Sequence, residues 1–296
     1  MVSSALIEAV TRFAGERPGD GPFLTGIDGL FVLRNDHEKP PSHVIHRPAL
    51  CVVVQGAKWS EAGDVRLHYG AGQALLVSLD IPATGCVVEA SPAKPFLGVV
   101  LELDLAILRD VIEQMATPPS VAEASLGLAV IEIDERLSDC MLRALRLAAT
   151  PEAAALLLPP LMREICYWLL AGPEGRSVAR LAVAGSRPGR LIAALHMLRE
   201  RFRETVRISD LAEVAQLSAS AFHRQFKALT GMTPLQYQKR LRLIEARRLI
   251  MGTATRAESA AYAVGYESAS QFSRDYVRMF GLPPARDGAR LRRQAA

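Results

Sequence analysis

Two kinds of hydrophobic periodicity divide this chain. Between Phe23 and Leu103 the apolar residues come in short runs broken by Gly and Pro. Leu50–Gln55, Val65–Tyr69, Ala74–Ser78, Cys86–Glu89 and Phe96–Leu103 read as strands. Gly63-Asp64, Gly70-Ala-Gly72 and Ala83-Thr-Gly85 read as the turns between them. Many short strands at this spacing predict a barrel or a sandwich. Residues 1–16 predict a short amphipathic helix in front of the strands. Behind them the spacing becomes helical. Asp104 can cap a helix carrying Leu105, Leu108, Val111, Ile112 and Met115. Pro118-Pro119 interrupts, and two more helices are expected over about 134–148 and 152–170. The second of these is apolar on most sides, which predicts burial against the strands or against a second subunit.

From residue 190 onward every predicted element is a helix. Leu191, Leu195, Leu198 and Phe202 recur at helical spacing. A helix-turn-helix pattern then occurs twice, over about 208–231 and 256–281. In the first copy Leu211, Ala212 and Ala215 face inward, Gln216-Leu217 turns, and Ser218 caps the second helix. Phe222, Phe226 and Leu229 face the core of that helix. Ser220, His223, Arg224 and Lys227 fall on its opposite face, where donors can reach base edges and phosphates. In the second copy Ala257, Ala260, Ala261 and Val264 pack, Gly265 supplies a left-handed turn, and Ser268 caps the last helix. Phe272 and Tyr276 face in, and Ser270, Ser273 and Arg274 face out. A long helix from Pro234 to about Gly252 joins the copies. Its Lys239, Arg240, Arg242, Arg247 and Arg248 need no core role, so it reads as a semi-rigid spacer. Two such units can address successive major-groove segments, roughly 34 Å apart on one DNA face.

Over about 191–286 the chain resembles the AraC/XylS family of bacterial transcription regulators. The resemblance rests on Leu211-Ala212, Ser218, Phe222-His-Arg-Gln-Phe-Lys227, Gly231-Met-Thr-Pro234, Tyr237, Arg242-Leu243, Ala246, Leu249-Ile250, Gly265-Tyr266, Ser268, Phe272-Ser-Arg274, Tyr276 and Gly281-x-x-Pro284. It implies that Ser220, His223 and Arg224 read bases in the first unit, and Ala269, Ser270, Ser273 and Arg274 in the second. Departures are the Ala-rich first helix of the second unit, expected to pack less tightly, and the Ala-Arg-Asp-Gly sequence after Pro284. Asp275 is expected among the outward residues, where it would repel phosphate. Together they predict less stringent reading by the second unit. Residues 63–82, 89–92 and 95–103 resemble the cupin-type N-terminal domain found in part of the same family.

The resemblance thus implies an α+β protein. A cupin-like β-barrel (about 23–103) with flanking helices (about 104–184) forms an effector-sensing and dimerisation domain over 1–184. A linker follows at 185–189, then an all-α DNA-binding domain over 190–296. The implied function is sequence-specific transcription regulation under a small-molecule effector, with promoter DNA as partner, RNA polymerase as a further one, and a homodimer as the assembly. Alternating strand positions put Val65, Leu67 and Tyr69 on one face, the candidate ligand lining. That favours an apolar or aromatic effector.

Charge supports this division. The whole chain is +4, but residues 187–296 hold 20 Lys+Arg against 9 Asp+Glu, leaving the remainder at −7. A basic third beside an acidic remainder points to an anionic partner for the former. The four cysteines are widely spaced and sit in apolar runs, as buried free thiols would. No uncharged apolar run of about 18 residues exists, and the N-terminus does not read as a signal peptide, so a cytoplasmic location without membrane association is expected. His43-x-x-His46 could ligate a metal, but Pro40-Pro41 and Pro48 predict an exposed loop there, and no His-x-His with a following Glu occurs. His68 reads as a hydrogen-bonded strand residue. Neither a metal site nor a cofactor is expected. The alternatives are a metal-dependent cupin enzyme tethered to DNA and a sequence-indifferent architectural protein.

Overall fold

The computed structural model describes residues 2–17, 19–120, 126–180, 187–252 and 255–295. The chain divides into two compact units, one of residues 1–189 with 228–231 and the other of 190–227 with 232–296. Residues 185 and 186 of the expected linker lie outside the described residues, while 187–189 are already helical.

The first unit opens with α1 (Ser4–Gly15), capped by Ser3, whose side chain accepts the Leu6 N–H. Nine strands follow: β1 (Phe23–Leu24), β2 (Leu30–Asn35), β3 (Ser42–His46), β4 (Ala49–Gln55), β5 (Ala57–Ala62), β6 (Val65–Gly70), β7 (Gln73–Val77), β8 (Ile81–Glu89) and β9 (Phe96–Glu102). Then come α2 (Leu105–Gln114), β10 (Leu128–Glu132), α3 (Glu135–Arg146), α4 (Pro151–Ala171) and α5 (Gly175–Ala179). Asp104 caps α2 as expected, accepting the N–H groups of Ala106 and Ile107.

The strands form two antiparallel sheets, one in the order β1-β2-β9-β4-β7-β10 and one in the order β3-β8-β5-β6. The expected barrel is therefore two open sheets. The chain changes sheet at Gly56, between β4 and β5, where φ is +79°. A side chain there would collide with the Glu89 carbonyl and with Phe96, so this bend requires glycine. Three expectations change. The turn expected at 83–85 lies inside β8, which pairs with both β3 and β5. His43 and His46 lie on β3 rather than in an exposed loop. Residues 128–132, expected among helices, form β10 and extend the larger sheet beside β7.

Strand alternation sorts the larger sheet's two faces. Leu50, Val52, Val54, Leu76, Val99 and Leu101 join the core with Leu6 and Val10 of α1, Leu108 of α2 and Met141 of α3. Cys51, Val53, Leu75 and Phe96 fall on the other face, also buried. Helix α4 is long and apolar enough to cross a membrane by length and composition. Leu161, Met162, Ile165, Cys166 and Leu169 of this helix are instead part of the buried core. Two of its charged residues pair with neighbouring helices, Arg163 with Asp110 of α2 and Glu164 with Arg143 of α3. The thiols of Cys140 and Cys166 are pushed up to about 12 by burial, as expected of inert buried cysteines.

The second unit contains α6 (Arg187–Glu200), α7 (Ile208–Val214), α8 (Ala219–Thr230), α9 (Pro234–Gly252), α10 (Ala257–Ala263), α11 (Ala269–Phe280) and α12 (Pro284–Ala295). Sequence reasoning did not foresee α12. Its start carries the usual sign of a first turn, a proline whose missing N–H would be unsatisfied anyway.

Burial generates a pH prediction for the first unit. Desolvation, then the Lys58 charge, lowers the His46 pKa to about 4. The unfolded chain protonates this group below about pH 6.5, so between the two values acid favours unfolding. Stability is complete above that window and falls as pH drops through it. His46→Gln should flatten the stability–pH curve between pH 6.5 and 4, measured by urea unfolding. An unchanged slope would show that His46 titrates normally.

Candidate nucleic-acid interface

Each helix-turn-helix is built by the same backbone device. In the first, the Leu217 N–H bonds the Ala212 carbonyl at 2.9 Å and the Gln216 N–H bonds that of Glu213 at 2.9 Å. In the second, Tyr266 bonds Ala261 and Gly265 bonds Tyr262, both at 3.0 Å. This paired closure needs a left-handed residue. Gly265 fills the position at φ +88°, and Gln216 fills it at φ +52°, a conformation unusual outside glycine. Any side chain at 265 would also strike the Arg203 carbonyl.

The helices that follow are capped as expected. The Ser218 hydroxyl accepts the Ala221 N–H and that of Ser268 accepts the Gln271 N–H, each at 3.3 Å. Between the units, Thr233 and Gln236 cap α9 reciprocally: Thr233 Oγ1 accepts the Gln236 N–H, and Gln236 Oε1 accepts the Thr233 N–H. Phe222 and Phe226 of α8 are fully buried, with Phe226 edge-on to Tyr237 of α9 at 5.5 Å. Tyr266, Phe272, Tyr276 and Phe280 continue as a stack of edge-on and tilted rings, 4.4–5.4 Å apart. Ala260 and Ala261 of α10, expected to pack loosely, are completely buried with these rings and with Leu243, Ala246 and Ile250 of α9. The small side chains are matched by large aromatic ones.

This packing leaves one face of each second helix outward. On α8, Ser220, Arg224 and Lys227 are exposed and His223 is half-buried. On α11, Ser270 and Arg274 are exposed, and Ala269 and Ser273 are half-buried. All eight predicted contact positions thus retain accessible surface, four on each helix.

The basic residues of α9 behave differently from the expectation of a free spacer. Arg242 donates to three carbonyls, those of Phe202 at 2.7 Å and of Gly265 and Glu204 at 2.8 Å. Gln238 donates to the Phe202 and Glu204 carbonyls as well. Arg248 pairs with Glu245 at 2.8 Å. Lys239 pairs with Asp275 at 3.1 Å, and Tyr266 Oη donates to the same carboxylate. Asp275 is therefore buried and neutralised rather than outward and repelling phosphate. Arg247 pairs with Asp287 of α12 at 2.8 Å. Asp287 is fully buried and also accepts from Tyr276 Oη at 3.0 Å and Arg290 at 2.9 Å. Burial, then the Asp287 charge, raises the Tyr276 phenol above its usual pKa, so it remains the donor. Asp287 and Arg242 are the residues that sequence reasoning missed as structural centres. The only local hint at Asp287 was an acid in the first turn after Pro283-Pro284.

The candidate effector residues divide. Tyr69 is buried, Leu67 is half-buried, and Val65, expected inside, is 42% exposed near the start of its strand. His68 is exposed rather than hydrogen-bonded inside. His43 Nδ1 and Thr84 Oγ1 share a hydrogen bond at 3.0 Å. Among the described residues no group of three His, Cys, Asp or Glu side chains could hold a metal ion.

A two-sheet domain followed by tandem helix-turn-helix units defines a two-part DNA-binding protein. The family of AraC-type transcriptional regulator N-termini matches residues 26–177, and a helix-turn-helix domain family matches 211–290. The chain belongs to the AraC-type transcriptional regulators, with a C-terminal helix-turn-helix DNA-binding domain. It is 38% identical over 95 residues to the HTH-type transcriptional activator RhaS of Enterobacter sp. (strain 638), covering 32% of this chain and 34% of that protein. RhaS of Pectobacterium carotovorum is 35% identical over 101 residues, 34% of this chain and 36% of that protein. The match thus spans about a third of the length of these curated relatives. Crystal structures of Vibrio cholerae ToxT share the fold at 10% identity. One, with an unsaturated fatty acid bound, has a TM-score of 0.58 and covers 91% of this chain and 96% of that one. Another, with (E)-4-(8-methylnaphthalen-1-yl)but-3-enoic acid bound, has a TM-score of 0.56 and covers 86% and 97%.

The Asp287 cluster makes a stability prediction. Removing one member of a buried ion pair strands the other, typically at about 3–5 kcal/mol. Asp287→Ala should destabilise the second unit by about 3 kcal/mol in urea unfolding, though it lies away from the outward faces of α8 and α11. A loss below about 0.5 kcal/mol would make the cluster energetically idle.

Proposed function

We propose that this regulator reads promoter DNA with α8 and α11 and is controlled by a small, largely apolar molecule held in the first unit. The observation that carries the first half is the repeated turn at Gln216 and Gly265, which sets two capped helices with Ser220, His223, Arg224 and Lys227, and Ala269, Ser270, Ser273 and Arg274, turned outward. Arg224 and Arg274 are the long, exposed side chains suited to paired hydrogen bonds with guanine. The surplus of 20 basic over 9 acidic residues in 187–296 supplies phosphate attraction. The reading has no catalytic step, and it places the protein in the cytoplasm with DNA, with RNA polymerase as a further partner.

Support for the effector comes from the buried face between the sheets, with Tyr69, Phe96 and Cys51, and from the apolar acids named for the ToxT structures that share this fold. Leu156 and Tyr167 of α4, three helical turns apart on one face, are exposed and support a homodimer through this helix. Residues 1–184 then act as sensor and dimerisation domain, and 190–296 as reader.

Two substitutions separate base reading from structure. Arg224→Ala should lower affinity for a selected operator more than for random DNA, a discrimination of about 1–3 kcal/mol. Lys239→Ala, whose partner is Asp275, should lower stability and leave the salt dependence of binding unchanged. Binding titrations at several salt concentrations test both. Equal losses on both DNAs for Arg224→Ala would reduce that residue to a backbone contact.

A further inference from the structure

The inner face of the smaller sheet is mostly apolar but contains one lysine. Cross-strand partners share a face, and Lys58 of β5 stands opposite Tyr69 of β6 and Val87 of β8. Two residues along, Ser60 stands opposite Leu67 and Gly85. Through β8 the same face continues to β3, where His46 stands opposite Ile81. From the larger sheet, Phe96 reaches this lysine: the ammonium lies 5.7 Å from the centroids of both the Phe96 and Tyr69 rings. Cys51 lies on the same face of the larger sheet as Phe96; burial pushes its thiol up to about 11, and the nearby Lys58 charge pulls the other way. Lys58 makes no hydrogen bond or ion pair among the described residues, although it retains some accessible surface. Burial lowers its pKa. His46 Nε2 is buried and without a hydrogen-bond partner. The Ser60 and Tyr69 hydroxyls share one hydrogen bond at 2.9 Å, which uses one of their two protons and leaves the other to donate.

A buried cation with no anion is costly unless something neutralises it. Two aromatic faces compensate only partly. Buried ionisable groups without a partner concentrate at functional sites, where a bound ligand can supply the missing charge.

Resting on the effector reading above, we propose that the facing surfaces of the two sheets bind an apolar monocarboxylate, its carboxylate on Lys58 with His46 and the Ser60–Tyr69 hydroxyls as further donors. The chemistry selects a carboxylate over a phosphate. One ammonium balances a single negative charge, and a dianion would bring a second charge against Phe96, Tyr69 and Cys51. The neutral imidazole of His46 can present Nε2–H to an oxygen, and its low pKa keeps it uncharged at pH 7. The ligand's body would lie along Phe96 and its apolar neighbours, where an ester or an alcohol of the same shape would fit but would leave the ammonium unpaired.

The test uses the full-length protein, calorimetric titration and thermal shift. The probes are straight-chain acids from octanoate to palmitate, trans-cinnamate and 2-naphthoate, each against its methyl ester. At least one acid should bind ten times or more tightly than its ester. Lys58→Met should lower that acid's affinity at least tenfold and leave the ester's unchanged or improved. The ligand-free Lys58→Met protein should melt no lower than wild type, because the substitution removes an uncompensated charge. If acid and ester bind wild type equally, or Lys58→Met keeps the acid's affinity, the carboxylate site is overturned while the effector reading stands. If no acid and no ester binds, both fall. The acid–ester comparison needs only the wild-type chain, so it decides the matter even where the variant fails to fold.

Discussion

Arg242 is the side chain on which the reading unit depends. It lies near the middle of α9 and grips the carbonyls of Phe202, Glu204 and Gly265. Two belong to the connection between α6 and α7, and the third is the turn residue of the second helix-turn-helix. A charged guanidinium with three carbonyl acceptors replaces the water those groups would otherwise hold, and each charge-assisted bond is stronger than a neutral one. Gln238, one turn earlier, doubles the hold on Phe202 and Glu204. The planar fork makes this grip geometric as well as energetic, which lysine could not reproduce. The helix joining the two motifs is thereby bolted to the α6–α7 connection and to the turn of the second motif, by polar contacts that a spacer would not need.

Charge in this unit accordingly has two employments. Lys239, Arg242, Arg247 and Arg248 are spent within the fold, on Asp275, the three carbonyls, Asp287 and Glu245. Arg224 and Arg274 remain outward. A net charge read from the sequence cannot separate these groups, yet only the second can address bases. The first unit shows the opposite economy. Its inner sheet face is apolar except for a few polar groups, and there an unpaired lysine stands out because almost everything around it is satisfied by packing.

The helix-turn-helix units were legible because their determinants are local. Ser218 and Ser268 cap within three residues, Gly265 announces its turn, and Phe222, Phe226, Phe272 and Tyr276 mark the inward stripes. What escaped was set by distant partners. Asp275 looked outward on its own helix, but Lys239 and Tyr266 approach it from α9 and from the turn before α11. Asp287 sits in α12, a helix that the residues after Pro284 did not announce. In the first unit, β8 hides behind Pro82 and Gly85, residues that ordinarily mark turns. β3 hides between prolines, and β10 is too short for its period to be told from a helix. The division into two open sheets depends on Gly56, whose need for a left-handed bend shows only when Glu89 and Phe96 are beside it. Val65 was misplaced because alternation assigns a face but not its coverage.

On the reading proposed for this regulator, α9 holds α8 and α11 as one rigid reader. The most direct measurement compares wild type and Arg242→Met, both shown to be folded by circular dichroism, on a full selected operator and on DNA carrying only the site for α8. Arg242→Met should bind the full operator only about as tightly as it binds the single site, while its single-site affinity stays at the wild-type value. Wild-type affinity of Arg242→Met for the full operator would contradict it.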